Sequence, residues 1–266
     1  MSATVIKVEN LVRSFGARVV LDNVNIEIEQ GETLVIMGGS GCGKSTLLRH
    51  IIGLEKPDSG HIFIKGQDIT VMEESDLNEL RKKFGMLFQS GALLNSLTVG
   101  ENVALPLFEH TQLDPAIINI IVKMKLELVG LTGFENMMPS ELSGGMKKRV
   151  GLARAIVMDP EIVYYDEPGA GLDPITTAVI DKLIKDLGKK LGITSIVVTH
   201  ELKSAFRIAD KMAVLYKGKV VQHGTPDEIR DSSHPYVVQF INGSPEGPEP
   251  LRRSKGDYIK TLTSTD

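Results

Sequence analysis

Residues 34–53 read LVIMGGSGCGKSTLLRHIIG: an apolar run, a glycine-rich turn and the start of a helix in immediate succession. Within it Gly38-Gly39-Ser40-Gly41-Cys42-Gly43-Lys44-Ser45-Thr46 fits the pattern G-x-x-x-x-G-K-[ST]. The flanks supply the context that pattern requires, a strand over 34–37 before it and a helix over 45–52 behind it, ended by Gly53. Glycines in such a turn let backbone N–H groups face a phosphate, and the helix N-terminus adds partial positive charge. Lys44 is expected to reach the β- and γ-phosphates of a nucleoside triphosphate, and Ser45 to ligate Mg2+. Cys42 fills an unconstrained position of the motif and is assigned no redox role.

Around this loop, short strand signals at 4–8, 24–29, 33–37, 61–64 and 83–88 suggest antiparallel pairing around one parallel strand. From about 91 to 158 the pattern turns helical. Asp114-Pro115 reads as an N-cap with a first-turn proline, Ile117, Ile118, Ile121, Val122 and Val129 as an apolar face, and Gly130 as a stop. Strand and helix then alternate: a strand at 162–165, a helix opened by Asp173-Pro174 with apolar positions Val179, Ile180, Leu183, Ile184, Leu187 and Leu191, a strand at 195–199, and a hairpin over 211–221 turning at Lys217-Gly218. This is an α/β chain with a parallel sheet, whose ligands belong at the strand carboxyl ends.

Two such ends carry chemistry. The run Ile162-Val163-Tyr164-Tyr165 delivers Asp166 and Glu167, one carboxylate for the magnesium shell and the next to orient or deprotonate an attacking water. His200 ends the following strand, where it would sense or position the attacked phosphoryl group. Gln89, at the end of the strand before the helical region, would touch both the metal shell and that region. A second anion-seeking helix start lies at Leu142-Ser143-Gly144-Gly145, with Ser143 as N-cap; the basic residues behind it read as a solvated face. A chain with two phosphate-type sites is explained if Ser143, Gly144 and Gly145 complete the nucleotide pocket of another copy, so that a two-fold dimer sandwiches two ATP molecules.

Composition narrows the partners. The chain has 266 residues, 42% hydrophobic and 24% charged, enough for a core without disulfides. A single cysteine excludes an internal bridge, no Cys/His cluster has zinc spacing, and a reducing compartment is expected. No apolar run approaches the ~20 residues of a membrane-spanning helix, and residues 1–10 lack the order of a signal peptide, so a transport role would need another chain in the membrane. The net charge of −4 argues against a nucleic-acid partner.

In their order along about 5–241, these motifs closely resemble the ABC (ATP-binding cassette) ATPases. The Walker A loop is 38–46, the Q-loop glutamine Gln89, the signature 142–145, Walker B 162–166 with catalytic Glu167, the D-loop Gly171-Leu172-Asp173 and the switch His200. The resemblance implies a P-loop NTPase of ABC type, with a RecA-like parallel sheet core, an antiparallel β subdomain and a helical subdomain at about 91–158. The cassette would span 1–241, followed by a C-terminal extension at 242–266. It also implies ATP and Mg2+ as ligands, with Ser45, Gln89 and Asp166 at the metal, and Phe15 stacking on adenine.

A narrower likeness is carried by FQSGALL at 88–94, TVGENVALPL at 98–107, MPSELSGGM at 138–146 and GDY at 256–258. These are similar to the ATPases of Mla phospholipid-transport systems, MCE-type transporters that maintain outer-membrane lipid asymmetry in Gram-negative bacteria. Met146, where most cassettes carry Gln, and Gly169-Ala170-Gly171 depart from common ABC patterns without removing a phosphate ligand. The likeness implies a second copy of the chain, an integral-membrane permease, an MCE-domain protein and a STAS-domain subunit as partners, at the cytoplasmic face of the inner membrane. It also implies that the tail, with Leu251, Tyr258, Ile259 and Leu262 as anchors, docks on a neighbour. A cassette for another solute, or a soluble ABC ATPase acting on DNA or the ribosome, remains the competing reading.

Overall fold

The computed structural model describes residues 3–249. In chain order it begins with strands β1 (Thr4–Phe15), β2 (Arg18–Glu29) and β3 (Thr33–Met37), helix α1 (Lys44–Ile51), and strands β4 (Ser59–Ile64) and β5 (Gln67–Asp68). Helix α2 (Glu74–Arg81) and strand β6 (Phe84–Leu87) lead into three helices, α3 (Val99–His110), α4 (Pro115–Leu128) and α5 (Gly144–Ala155). The alternation then resumes with β7 (Ile162–Asp166), α6 (Pro174–Leu191), β8 (Thr194–Val198) and α7 (Leu202–Ile208). Hairpin β9 (Lys211–Tyr216) and β10 (Lys219–Gly224) precedes the short helices α8 (Pro226–Arg230) and α9 (Pro235–Asn242).

Two sheets result. One has four antiparallel strands in the order β2-β1-β4-β5; the other has six, β10-β9-β3-β8-β7-β6, all parallel except the β9–β10 hairpin. The parallel strands are largely apolar and buried because both faces are covered. In β3, Leu34 and Ile36 join the core under the antiparallel sheet, while Val35 and Met37 join the core under the helices. Strand β7 divides the same way, Ile162 and Tyr164 on one side, Val163 and Tyr165 on the other. The period of two thus sorts each strand between two cores, and parallel pairing leaves the carboxyl ends of β3, β6, β7, β8 and β9 on one edge.

Several boundaries differ from expectation. β6 lies beside β7 in the parallel sheet, so the first 90 residues contribute two parallel strands rather than one. β1 and β2 are each 12 residues long, well beyond 4–8 and 24–29. Their hairpin tolerates polar Asn10 and Asn23 because both adopt positive φ near register shifts in the ladder. On α4, Asp114 caps the Ala116 N–H at 2.8 Å, and Ile118, Val122 and Val129 are buried as expected, but Ile117 is exposed together with Ile120 and Met124. On α6, Ile180, Ile184 and Leu187 are buried whereas Val179 and Leu191 face outward. The anchors expected to dock the tail on a neighbour, Leu251, Tyr258, Ile259 and Leu262, lie outside the described residues.

Candidate nucleotide-binding and hydrolytic site

β3 runs straight into the glycine-rich loop, which turns back over the end of β9. A Cβ on Gly38, where φ is 149°, would sit 2.2 Å from the Leu215 carbonyl oxygen, so this close approach requires glycine. Lys44 begins α1 and is buried; its ammonium donates to the Gly38 and Gly39 carbonyls at 2.9 and 3.0 Å. The α1 N-terminus has no side-chain cap, so its first N–H groups lack the partner that most helices supply from Ser, Thr, Asp or Asn. A cavity of about 300 Å³ joins this helix start to Phe15, lined by Phe15, Arg18, Val20, Gly41, Gly43, Lys44, Ser45 and Thr46. Phe15 is 50% exposed, with the Arg13 guanidinium 4.7 Å from its ring centre. An aromatic face placed here, outside both cores, suits a flat heterocycle.

The second part of the site gathers at the ends of β7 and β8. Asp166 is half-buried at the end of β7; burial and the adjoining Glu167 carboxylate push its pKa up, against the cations of Arg49, Lys148 and Lys44. At Glu167 the backbone leaves the strand with φ at 48°, a conformation unusual for a non-glycine residue, while its N–H still donates to the Val198 carbonyl at 2.9 Å. That turn brings the Glu167 carboxylate 2.8 Å from Nδ1 of His200. A carboxylate only accepts, so Nδ1 carries the proton in this bond. The two residues expected to orient water and sense phosphate are therefore hydrogen-bonded to each other.

Lys148, on α5, was expected on a solvated face with its basic neighbours. It is instead 4% exposed and donates to the carbonyl of Glu167 at 3.1 Å and to the carbonyl of Gln89. Burial pushes its pKa down, opposed by the carboxylates of Asp166, Glu167 and Glu201. The signal in the sequence was Gly151, one turn further on the same helix face. A Cβ there would meet Leu87 at 2.9 Å and the Gly91 carbonyl at 3.2 Å, which shows how closely α5 packs on β6 and the segment after it. Through Lys148, exposed Gln89 is tied to the end of β7.

Ser143 caps α5, its hydroxyl accepting from the Met146 N–H at 3.3 Å. Gly145 lets α5 press on the start of α6, because a Cβ would lie 2.4 Å from Thr176 Cγ2. Asp173 caps α6, accepting from Ile175 and Thr176 at 2.9 and 3.0 Å, and hydrogen bonding to Thr176 holds its pKa down. Residues 143–145 and Asp173 thus form one cluster, and none of them lines the cavity beside Phe15 and Lys44.

The groups expected at a metal, the Ser45 hydroxyl, the Gln89 amide and the Asp166 carboxylate, offer oxygen donors of the kind a hard cation prefers. Among the described residues no group of three His, Cys, Asp or Glu is placed to hold a metal alone. A single carboxylate with neutral oxygens fits Mg2+, which completes its shell with phosphate oxygens and water.

Comparison with known proteins places the chain in a family. A family model described as "ABC transporter" matches residues 21–170. The "Intermembrane phospholipid transport system ATP-binding protein MlaF" of Haemophilus influenzae is 45% identical over 262 residues, covering 98% of this chain and 99% of that protein. The protein of the same name from Escherichia coli K12 is 46% identical over 247 residues, covering 93% of this chain and 92% of its own length. Among solved structures, the ATP-binding cassette MJ0796, a dimer in a post-hydrolysis state bound to ADP and Pi, superposes with a TM-score of 0.76 at 33% identity. That match covers 83% of this chain and 98% of the other.

Proposed function

Because the chain belongs to the ABC transporter family, we propose that it is the ATP-hydrolysing subunit of a transporter that moves phospholipid between the inner and outer membranes. The observation that carries the hydrolytic part is the convergence, at one edge of the parallel sheet, of Lys44 on its glycine loop with Asp166 and the Glu167–His200 pair. The phospholipid part rests on the two relatives named above, matched along nearly their whole length.

In this reading adenine lies on Phe15, and the N–H groups of Gly43 through Thr46, at the open start of α1, take the phosphates. Lys44 leaves its two loop carbonyls for the β- and γ-phosphate oxygens. Bound Mg2+ would neutralise charge on those oxygens, held by Ser45, Gln89 and Asp166. Glu167 orients the attacking water and accepts its proton, and His200 fixes the carboxylate's direction from 2.8 Å. Ser143, Gly144 and Gly145, with Asp173 beside them, face the nucleotide of a second copy, so that ATP joins the two chains and its hydrolysis releases them.

Among the described residues no helix is long and apolar enough to cross a membrane, which supports reliance on a permease chain. The segment after Gln89, 90–107, with Leu94 exposed and Leu97 half-buried, is proposed to meet that permease, together with exposed Phe88 just before Gln89. An MCE-domain protein and a STAS-domain subunit complete the assembly, with this chain peripheral on the cytoplasmic face of a bacterial inner membrane. The test has two parts. Purification from detergent-solubilised membranes should recover these subunits with phospholipid, and Lys44→Ala should cut magnesium-dependent turnover of the assembly by ~10²–10³. Near-normal turnover in Lys44→Ala would sink the site assignment, and recovery of a different solute's carrier would sink the substrate assignment.

A further inference from the structure

The first peptide unit of the glycine loop is held at both ends. Its oxygen, on Gly38, accepts from the Lys44 ammonium at 2.9 Å. Its N–H, on Gly39, donates to the hydroxyl of Tyr236 at 2.8 Å. Tyr236 lies on α9, 197 residues away in the chain, and is 4% exposed. A Cβ on Gly39 would come within 3.1 Å of that hydroxyl, so glycine here leaves room for the phenol to sit on the loop. Burial pushes the Tyr236 pKa up, which keeps a neutral phenol, not a phenolate, beside a phosphate-binding loop.

The ring itself is fixed. It stacks on Tyr216, with centroids 3.8 Å apart and 19° between planes, at the end of β9 where Leu215 already meets Gly38. The Tyr216 hydroxyl donates to the Pro248 carbonyl at 3.2 Å. Gln239, one turn beyond Tyr236, holds Glu249 from both sides, donating to its carbonyl at 2.9 Å and accepting from its N–H at 3.0 Å. The Tyr236 hydroxyl therefore reaches the loop from a braced position.

From this geometry we infer that Tyr236 is a positioning residue for the phosphate loop, orienting the 38–39 peptide and through it the resting place of the Lys44 ammonium. The inference rests on the reading of this loop as the ATP site. Removing the hydroxyl frees one end of the peptide, and the loop must then be ordered by the nucleotide at the nucleotide's cost.

The test compares the full-length wild type with Tyr236→Phe and Tyr216→Phe, by titration with a fluorescent ATP analogue in Mg2+ and by thermal unfolding. Tyr236→Phe keeps the stack and loses the bond, and is expected to weaken nucleotide binding roughly 2–10-fold, at an almost unchanged melting temperature. In the assembled transporter KM rises with little change in kcat. Tyr216→Phe, which loses a hydroxyl from the same stack but none on the loop, is expected to bind like the wild type. Equal affinity in Tyr236→Phe and wild type overturns the inference, as does an equal loss in both variants tracking their melting temperatures. If the wild type binds no nucleotide, the ATP reading fails and this inference falls with it.

Discussion

Lys148→Met is the substitution whose consequences follow most directly from the structure. Methionine keeps the length and apolar stem of lysine but cannot donate, so the carbonyls of Glu167 and Gln89 lose their shared partner. A hydrogen bond from a charged donor is worth ~1.5–3 kcal/mol, which sets the gross loss for two at about 3–6 kcal/mol. Two effects reduce it. The buried ammonium carries a desolvation cost, visible in its lowered pKa, that methionine does not. Gln89 is exposed, so water can replace one of the bonds. The net loss is then about 1–3 kcal/mol, a fall in melting temperature of roughly 2–12 °C for a domain of this size.

The same substitution removes a cation that holds the Asp166 pKa down, and that pKa is already raised by burial and by Glu167. Its further rise means that protonation of Asp166 sets in at higher pH. Asp166 must be ionised to serve a metal, so the acid limb of the pH–rate profile should move to higher pH in Lys148→Met. Thermal unfolding and a pH–rate series at limiting Mg2+, where protons compete with the metal for Asp166, check the two effects separately. A variant that melts and titrates like the wild type would refute the role given to Lys148. One that melts lower with an unmoved acid limb would leave it as a brace alone.

Glu167→Gln keeps size and polarity but removes the proposed base, so turnover should fall by ~10²–10⁴ while ATP still binds. Sedimentation should then show more dimer in ATP than in ADP, and a nucleotide-independent monomer would count against the sandwich. His200→Ala removes the group that fixes the Glu167 carboxylate, and the loss of one charged hydrogen bond predicts a fall of roughly 10–150-fold in single-turnover rate. Wild-type rates in that variant would mean the pair seen here is not the working arrangement.

Local chemistry made much of this molecule legible. The glycine loop stood between a strand and a helix, and Asp114, Ser143 and Asp173 each proved to cap the helix they were expected to open. Sheet membership was less legible. β6 reads like its antiparallel predecessors over five or six residues, and only its pairing with β7 assigns it to the parallel sheet. Apolar faces were drawn too wide for a similar reason. Periodicity finds the side of a helix that is hydrophobic, but it does not say how much of that side a neighbour covers, as Ile117 and Val179 show.

Lys148 and Tyr236 mark a different limit. A lysine beside two other basic residues and a tyrosine in a short C-terminal helix have ordinary default readings, a solvated charge and a half-buried aromatic. What overturns those defaults is the position of a backbone group far away in sequence, the Gln89 carbonyl for one and the Gly39 N–H for the other. Backbone groups carry no residue identity, so no pattern in the side chains announces such a partner. The trace they leave is indirect: a glycine where the other chain segment must come close, Gly151 beside the end of β6 and Gly39 beneath a phenol. Glu167 adds a third case, since nothing in Asp-Glu-Pro-Gly foretells that its φ of 48° will aim the carboxylate at His200. The residue types required for phosphate chemistry are thus readable in order along the chain, while the contacts that hold them at working angles belong to the folded backbone.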